Sequence, residues 1–103
     1  MGQDLALVRR FVAELASSYR IETAYLFGSR ARGDHLLSSD IDLLLVSNDF
    51  EGRFFTDRMA EILRRWNGEV DLQPFCYTVE EFERKRHQLG LVQEAVTHGL
   101  RLL

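Results

Sequence analysis

The chain has few of the residues that stabilise small secreted or zinc-bound domains. Its 103 residues include one cysteine, Cys76, and three widely spaced histidines. A single cysteine excludes a disulfide within the chain, and so few histidines beside it exclude a Cys/His zinc framework. The sequence therefore predicts a protein of the reducing cytoplasm.

Long apolar runs are also missing. No stretch approaches the ~20 consecutive apolar residues that a membrane-spanning helix needs, and residues 1–10 lack the basic, apolar and small-residue pattern of a secretory signal. The net charge is -3, whereas domains that bind nucleic acid through broad electrostatic attraction are usually basic. We therefore expect neither a membrane protein nor a general nucleic-acid binder.

Lysine is scarce, because twelve of the 13 basic residues are arginine and only Lys85 is lysine. The planar arginine side chain suits phosphate and carboxylate groups, but a compositional preference for arginine explains most of these residues equally well. Hydrophobic residues make up 46% and charged residues 28%, which is typical of folded proteins. The length predicts one domain spanning residues 1–103.

Hydrophobic periodicity predicts alternating helices and strands. Apolar residues at steps of three and four predict helices over 4–19 and over 54–66, the second ended by Asn67-Gly68, and Thr78 to Glu81 has the form of a capping box that opens a third helix. A last helix runs from Gly90 to Gly99. Strands are predicted at 23–27, 39–46 and 69–75, the last of which ends or lies at an edge near its proline, with residues 100–103 as a closing strand. We expect an α/β fold, a small mixed β-sheet with helices packed against it.

The predicted strand over 39–46 begins with two carboxylates. Residues i and i+2 of a strand face the same side, so Asp40 and Asp42 project together while Ile41 points into the opposite layer. Two carboxylates this close require either a proton, through a raised pKa, or a cation between them, and oxygen ligands alone favour Mg²⁺ or Mn²⁺. If Asp71 lies on the adjacent strand, three carboxylates could hold two metal ions suited to phosphoryl or nucleotidyl transfer.

The turn predicted at Gly28-Ser29 supplies the complementary half of such a site. Glycine lets the backbone approach closely, free backbone N–H groups bind phosphate, and the arginines at Arg30 and Arg32 could neutralise its charge. Each feature alone has a simpler explanation, such as an ordinary turn or a salt bridge to Asp34. Their combination at fixed spacing is what favours a nucleoside-triphosphate site.

Several other polar and aromatic residues have simpler interpretations. An exposed edge-strand carboxylate explains Asp71 as well as the site does until the strand pairing is known. The histidines have no partner at metal-ligand spacing, so surface or packing roles are expected for His35, His87 and His98. Core positions are expected for Cys76, Trp66, Phe55 and Met59.

Two segments carry a resemblance to a known family. The sequences GSRARGD at 28–34 and SDIDLLL at 39–45 resemble the signature of the minimal nucleotidyltransferase (MNT) family of the DNA polymerase β-like superfamily. The spacing of Gly-Ser, ten residues and Asp-x-Asp matches that pattern, and VDL at 70–72 provides its third aspartate. The resemblance extends from the first helix to Gly99.

The resemblance implies a site and a reaction. The resemblance implies the polymerase β-like nucleotidyltransferase fold, with two Mg²⁺ ions expected. Asp40, Asp42 and Asp71 would hold the Mg²⁺, and Gly28 and Ser29 would contact the triphosphate. An acceptor hydroxyl would attack the α-phosphate and pyrophosphate would leave, with Asp71 as the general base.

The resemblance also implies a partner. Many MNT proteins act as antitoxins beside a HEPN-domain toxin, a helical RNase, and some transfer AMP from ATP to a tyrosine of that partner. The chain is thus expected to be an adenylyltransferase antitoxin, and its apolar residues beyond Gly90 either dock the partner or, as we favour, complete the core. The first alternative is a non-catalytic module that neutralises its partner by occlusion. The second is a small-molecule transferase resembling antibiotic nucleotidyltransferases, which the short chain disfavours.

Overall fold

The computed structural model describes residues 2–28 and 40–103, with side chains described from Leu5 onward. The chain begins with a long helix and then alternates strands and helices, in the order predicted from the sequence. The elements are α1 (Gly2–Ser18), β1 (Thr23–Phe27), β2 (Ile41–Val46), a 3₁₀ helix (Asn48–Phe50), α2 (Phe55–Leu63), β3 (Leu72–Tyr77), α3 (Val79–Lys85), α4 (Leu91–His98) and β4 (Leu100–Arg101).

The four strands form one mixed sheet in the order β3-β2-β1-β4. Strand β1 pairs antiparallel with β2 and with β4, whereas β2 and β3 run parallel. Strand β2, which follows Asp40, therefore lies in the interior of the sheet. Strand β3 lies at the edge, where a proline is tolerated because an outward N–H is not needed for pairing.

Helices cover both faces of the sheet, and the residues of β2 from Leu43 to Val46 are accordingly buried on either face. Ile41, Leu43 and Leu45 pack on the side of α1 and α2, while Leu44 and Val46 pack on the side of α3 and α4. The predicted α/β fold, a mixed sheet with helices packed against it, is confirmed. The apolar residues of α4 belong to this second layer of core, which confirms the favoured interpretation of the segment beyond Gly90.

The second helix is shorter than predicted. It ends at Leu63, so Asn67-Gly68 does not terminate it, and Trp66 lies in the following loop. The Trp66 indole N–H donates to the carbonyl of Val70 at 2.8 Å, and the ring meets Phe11 edge-on with centroids 5.0 Å apart. Trp66 is thus a core residue, as expected, but the loop positions it.

Strand β3 lies further along the chain than predicted, from Leu72 to Tyr77 rather than over 69–75. The Val70 carbonyl accepts the Trp66 indole N–H instead of a strand partner, and the Ile41 N–H donates to the Asp71 carbonyl at 2.8 Å before the paired residues of β3 begin. Pro74 therefore lies inside an edge strand and does not end it. Asp71 immediately precedes the strand.

A buried arginine, Arg58, connects α2 with β3 and with the start of α3. Arg58 of α2 is 5% exposed and donates to the Cys76 carbonyl at 3.1 Å and to Glu81 Oε1 at 2.7 Å. Glu81 also closes the predicted capping box with Thr78. Hydrogen bonding to Arg58 is the main reason that the pKa of Glu81 is lowered. Charge pairing thus connects α2, β3 and the start of α3.

The remaining predictions for isolated residues hold only in part. Phe55 and Met59, for which core positions were expected, are half-buried and belong to neither core cluster. Cys76 is fully buried, and burial raises the pKa of its thiol to about 12, as expected of a small core residue. His87 and His98 are exposed, whereas His35 lies outside the described residues. Within residues 2–28 and 40–103, the structure has no helix long and apolar enough to span a bilayer.

Candidate active site

The two carboxylates of the Asp-x-Asp motif lie where β2 begins. Asp42 is flanked by Phe27 of β1 and Gln73 of β3 in the strand pairing. The side chain of Ile41 is buried in the opposite layer, at 1% exposure, while Asp40 and Asp42 are half-buried. The alternation predicted for these three residues is confirmed, and it places both carboxylates on the face of the sheet that carries α3 and α4.

The electrostatics of Asp42 show that the two carboxylates repel each other. Burial is the larger cause that raises the pKa of Asp42, and the negative charge of Asp40 raises it further. Both causes penalise the ionised carboxylate. A proton or a cation at this position would relieve the penalty, as expected for a pair of carboxylates on one face.

Gly28 brings backbone directly against Asp42. It follows β1 with φ at +77°, and a Cβ built on it would lie 2.5 Å from Asp42 Oδ2. Only glycine combines this left-handed conformation with so close an approach. The tight turn predicted at Gly28 is confirmed, and it places Gly28 beside Asp42. The close approach of this backbone to a phosphate stays a prediction.

Substituting Gly28 by alanine should impair both stability and transfer. The left-handed conformation costs a non-glycine residue roughly 1–2 kcal/mol, and the new methyl group would displace the Asp42 carboxylate. Gly52 is a matched control, because it has the same φ of +77° but no atom lies within 4 Å of the position that a methyl group would take there. We expect Gly52→Ala to lose similar stability in thermal unfolding but to keep transfer activity. Equal activities of the two variants would contradict this role of Gly28.

The main chain of Asp71 contacts Ile41, the residue between the two carboxylates. Its carbonyl accepts the Ile41 N–H, and its side chain is exposed. Across residues 2–28 and 40–103, no three His, Cys, Asp or Glu side chains are grouped so that they could hold a metal ion. The structure thus brings Asp40 and Asp42 together. Asp71 is joined to Ile41, the residue between them, by a main-chain hydrogen bond, and the role of Asp71 as third metal ligand stays a prediction.

Gln73 is a site residue that the sequence did not single out. Its Nε2 donates to Asp40 Oδ2 at 2.7 Å, across the parallel pairing of β2 and β3. The available signal was period two, since Gln73 shares the strand face of Asp71. The remaining predicted contacts, Ser29, Arg30 and Arg32, lie outside the described residues, as does Asp34.

The raised pKa of Asp42 predicts a pH-dependent stability. Because the folded-state pKa lies above the ordinary value of 3.8, the folded protein binds the proton more tightly than the unfolded chain does. The contribution of Asp42 to the stability of the metal-free protein should therefore fall as pH rises from that ordinary value through the raised pKa. The lowered pKa of Glu81 acts in the opposite direction in both proteins, so thermal unfolding should show that the stability of the wild type relative to Asp42→Asn falls over this range. The same profile in both proteins would contradict the assignment.

Comparison with known proteins identifies the family. The family model described as a nucleotidyltransferase domain matches residues 6–99. "Putative protein adenylyltransferase MJ0604" of Methanocaldococcus jannaschii is 49% identical over 88 residues, which cover 82% of this chain and 83% of the relative. "Probable protein adenylyltransferase MntA" of Haemophilus influenzae is 31% identical over 85 residues, 79% of this chain and 70% of the relative.

A solved structure supports the same conclusion. It is described as the crystal structure of "a putative nucleotidyltransferase" from Sulfolobus solfataricus, and it matches with a TM-score of 0.62 and 41% identity over 78% of this chain and 71% of the other. The resemblance of the two sequence segments to the MNT family is thus supported across most of the chain. With Gly28 held against the Asp-x-Asp pair and this extent of similarity, the chain belongs to the nucleotidyltransferase family and is a nucleotidyltransferase.

Proposed function

We propose that this protein is an Mg²⁺-dependent adenylyltransferase that transfers AMP from ATP to a hydroxyl group, a tyrosine of a HEPN-domain toxin, and thereby acts as its antitoxin. The observation that carries the proposal is the position of Asp40 and Asp42 on one face of the sheet, with the Gly28 backbone against Asp42. The names of both curated relatives support adenylyl transfer to a protein. The toxin partner rests on the resemblance to the MNT family.

The carboxylate pair fits a divalent cation. The pKa of Asp42 is raised by burial and by the charge of Asp40, so a cation shared by the two would offset a penalty that the structure already contains. Their oxygen ligands suit Mg²⁺. Asp40 and Asp42 would hold the ion, Asp71 would complete the set, and two ions are expected. Bound there, Mg²⁺ would neutralise charge that develops on the phosphate oxygens.

Other residues of the chain would bind the triphosphate and accept the proton of the acceptor hydroxyl. The backbone at Gly28 and the Ser29 hydroxyl would hold the triphosphate, with Arg30 and Arg32 pairing with its charge. The acceptor hydroxyl forms a bond to the α-phosphorus of ATP as the bond to pyrophosphate breaks. Asp71, which is exposed and whose carbonyl accepts the Ile41 N–H, would take the hydroxyl proton as general base.

The proposed reaction places the protein in the cytoplasm, where ATP and a cellular toxin are both available. A reduced, buried Cys76 agrees with that compartment. The proposal includes no membrane and no direct contact with nucleic acid.

Labelling the partner tests the proposal. The purified protein is incubated with Mg²⁺, ATP labelled at the α-phosphate and a candidate HEPN protein, beside the variants Asp42→Asn and Asp57→Asn. Asp57 is an exposed aspartate of α2 and serves as the matched control. We expect label on the partner with the wild type and with Asp57→Asn, but not with Asp42→Asn.

Two other outcomes would overturn the proposal. If the partner is silenced in a stable complex without label, and a double variant, Asp40→Asn with Asp42→Asn, still silences it, neutralisation occurs by occlusion. Label on a small hydroxyl compound in the absence of any partner would instead indicate a small-molecule transferase.

A further inference from the structure

Asp40 lies just outside the hydrogen-bonded part of its strand. Pairing between β2 and β3 begins with Ile41 and Leu72, and the backbone before it is held by the Ile41 N–H, which donates to the Asp71 carbonyl. The strand ladder therefore does not itself fix the side chain of Asp40. A metal ligand needs a fixed orientation, because affinity depends on the angle and distance at which its oxygens are presented.

The amide of Gln73 supplies this fixation from the neighbouring strand. Gln73 stands beside Asp42 in the register, and its Nε2 donates to Asp40 Oδ2 at 2.7 Å. The side chain of Gln73 thus reaches from its position beside Asp42 to the carboxylate of Asp40. An ionised carboxylate has about four lone-pair positions, so one N–H donor orients the group while positions for a cation remain.

The choice of an amide matters for charge. Lysine or arginine at this position could donate the same hydrogen bond, but either would cancel one of the two negative charges of the pair and weaken its attraction for a cation. Glutamate would add a third negative charge and could not donate when ionised. Glutamine orients Asp40 and leaves the charge of the pair unchanged.

We infer that Gln73 is a positioning residue that holds the Asp40 carboxylate in the orientation needed to share a divalent cation with Asp42. The inference deepens the proposed function and rests on it, because it assumes a metal between these two carboxylates. Gln73 touches a ligand of the proposed metal, not the reacting atoms. Its loss should weaken metal binding while leaving the fold intact, since its own side chain is exposed.

Binding of Mn²⁺ alone, followed by electron paramagnetic resonance of the free ion, tests the inference on the full chain. Gln73→Met keeps the length of the side chain and removes the amide. We expect its Kd for Mn²⁺ to rise about tenfold, the lower range for losing a hydrogen-bond partner of a metal ligand, with an unchanged Tm. Gln88→Met is the matched control, because Gln88 is an exposed glutamine between α3 and α4, and its Kd should equal that of the wild type.

The possible failures are distinguishable. If the wild type and Asp42→Asn both fail to bind Mn²⁺, the proposed metal-dependent function falls and the inference falls with it. If the wild type binds, Asp42→Asn does not, and Gln73→Met binds as well as the wild type or more tightly, the metal site stands and the role of Gln73 is overturned. A weaker Kd accompanied by a large fall in Tm would also overturn it, in favour of a structural role.

Discussion

Asp42→Asn should lower nucleotidyl transfer about a thousandfold while the protein stays folded. The substitution removes one charge from the proposed cation site at nearly constant shape, and a loss of several kcal/mol of transition-state stabilisation corresponds to about this factor. The fold should tolerate it, because burial and the charge of Asp40 both disfavour the ionised side chain. The measurement is the initial rate of pyrophosphate release, beside a thermal unfolding curve.

The unfolding curve decides between two roles of Asp42. A Tm equal to or above that of the wild type, together with lost transfer, assigns the carboxylate to chemistry. An unfolded Asp42→Asn protein would instead give it a structural role. Asp57→Asn provides the reference, because it removes an equal charge from an exposed position on α2 and should retain the full rate.

Arg58→Met should destabilise the protein by about 3 kcal/mol, the lower range for breaking a buried ion pair by removing one partner. The substitution removes the Arg58 donor from the Cys76 carbonyl and leaves the Glu81 carboxylate with the Thr78 N–H but without its cation. It also removes the hydrogen bond from Arg58 Nε to the Arg53 carbonyl at 3.0 Å. The hydrogen bonds by which Arg58 joins α2 to β3 and to α3 are lost together. Chemical denaturation with urea gives the free energy of unfolding directly.

A neighbouring arginine provides the control for this prediction. Arg84 lies on α3 and lines the same surface cavity as Arg58, but its side chain is exposed. Arg84→Met should therefore change the free energy of unfolding by less than about 0.5 kcal/mol. If Arg58→Met were as stable as Arg84→Met, the ion pair with Glu81 would not hold the fold together. Neither variant should change transfer under conditions where both proteins are fully folded.

Strands β1 and β2 were predictable because their sequence patterns are unambiguous. The segment from Thr23 to Phe27 is short, aromatic and followed by glycine, and β1 has those bounds. The alternation of Asp40, Ile41 and Asp42 fixed which side chains share a face, since period two leaves one choice once Ile41 is buried. The capping box at Thr78 likewise marked the start of a helix by local hydrogen bonding alone.

The errors arose where a side-chain contact overrides the hydrophobic pattern. Period two extends back to Glu69, but the Trp66 indole takes the Val70 carbonyl, so β3 begins only at Leu72. Trp66 itself continues the helical spacing of α2, yet its packing against Phe11 occurs from a loop. The first contact joins residues four apart but leaves no trace in hydrophobic periodicity, and the second joins residues far apart in the sequence.

Two polar residues show the same limit at the level of side chains. Nothing local distinguishes Arg58 from the eleven other arginines of the chain, and its burial follows from the placement of Cys76 and Glu81 around it. Gln73 shares a face with Asp71 in the sequence pattern, but its hydrogen bond to Asp40 depends on the parallel register of β2 and β3. Pairing register is a tertiary property.

Locating a bound metal tests the central claim most directly. Crystals grown with Mn²⁺ and an ATP analogue whose α,β-bridge cannot be cleaved would reveal the ion by its anomalous scattering. We expect Mn²⁺ between the carboxylates of Asp40 and Asp42, with the triphosphate beside Gly28. Mn²⁺ or nucleotide bound elsewhere, with this pair left without a cation at saturating concentrations of both, would contradict the claim.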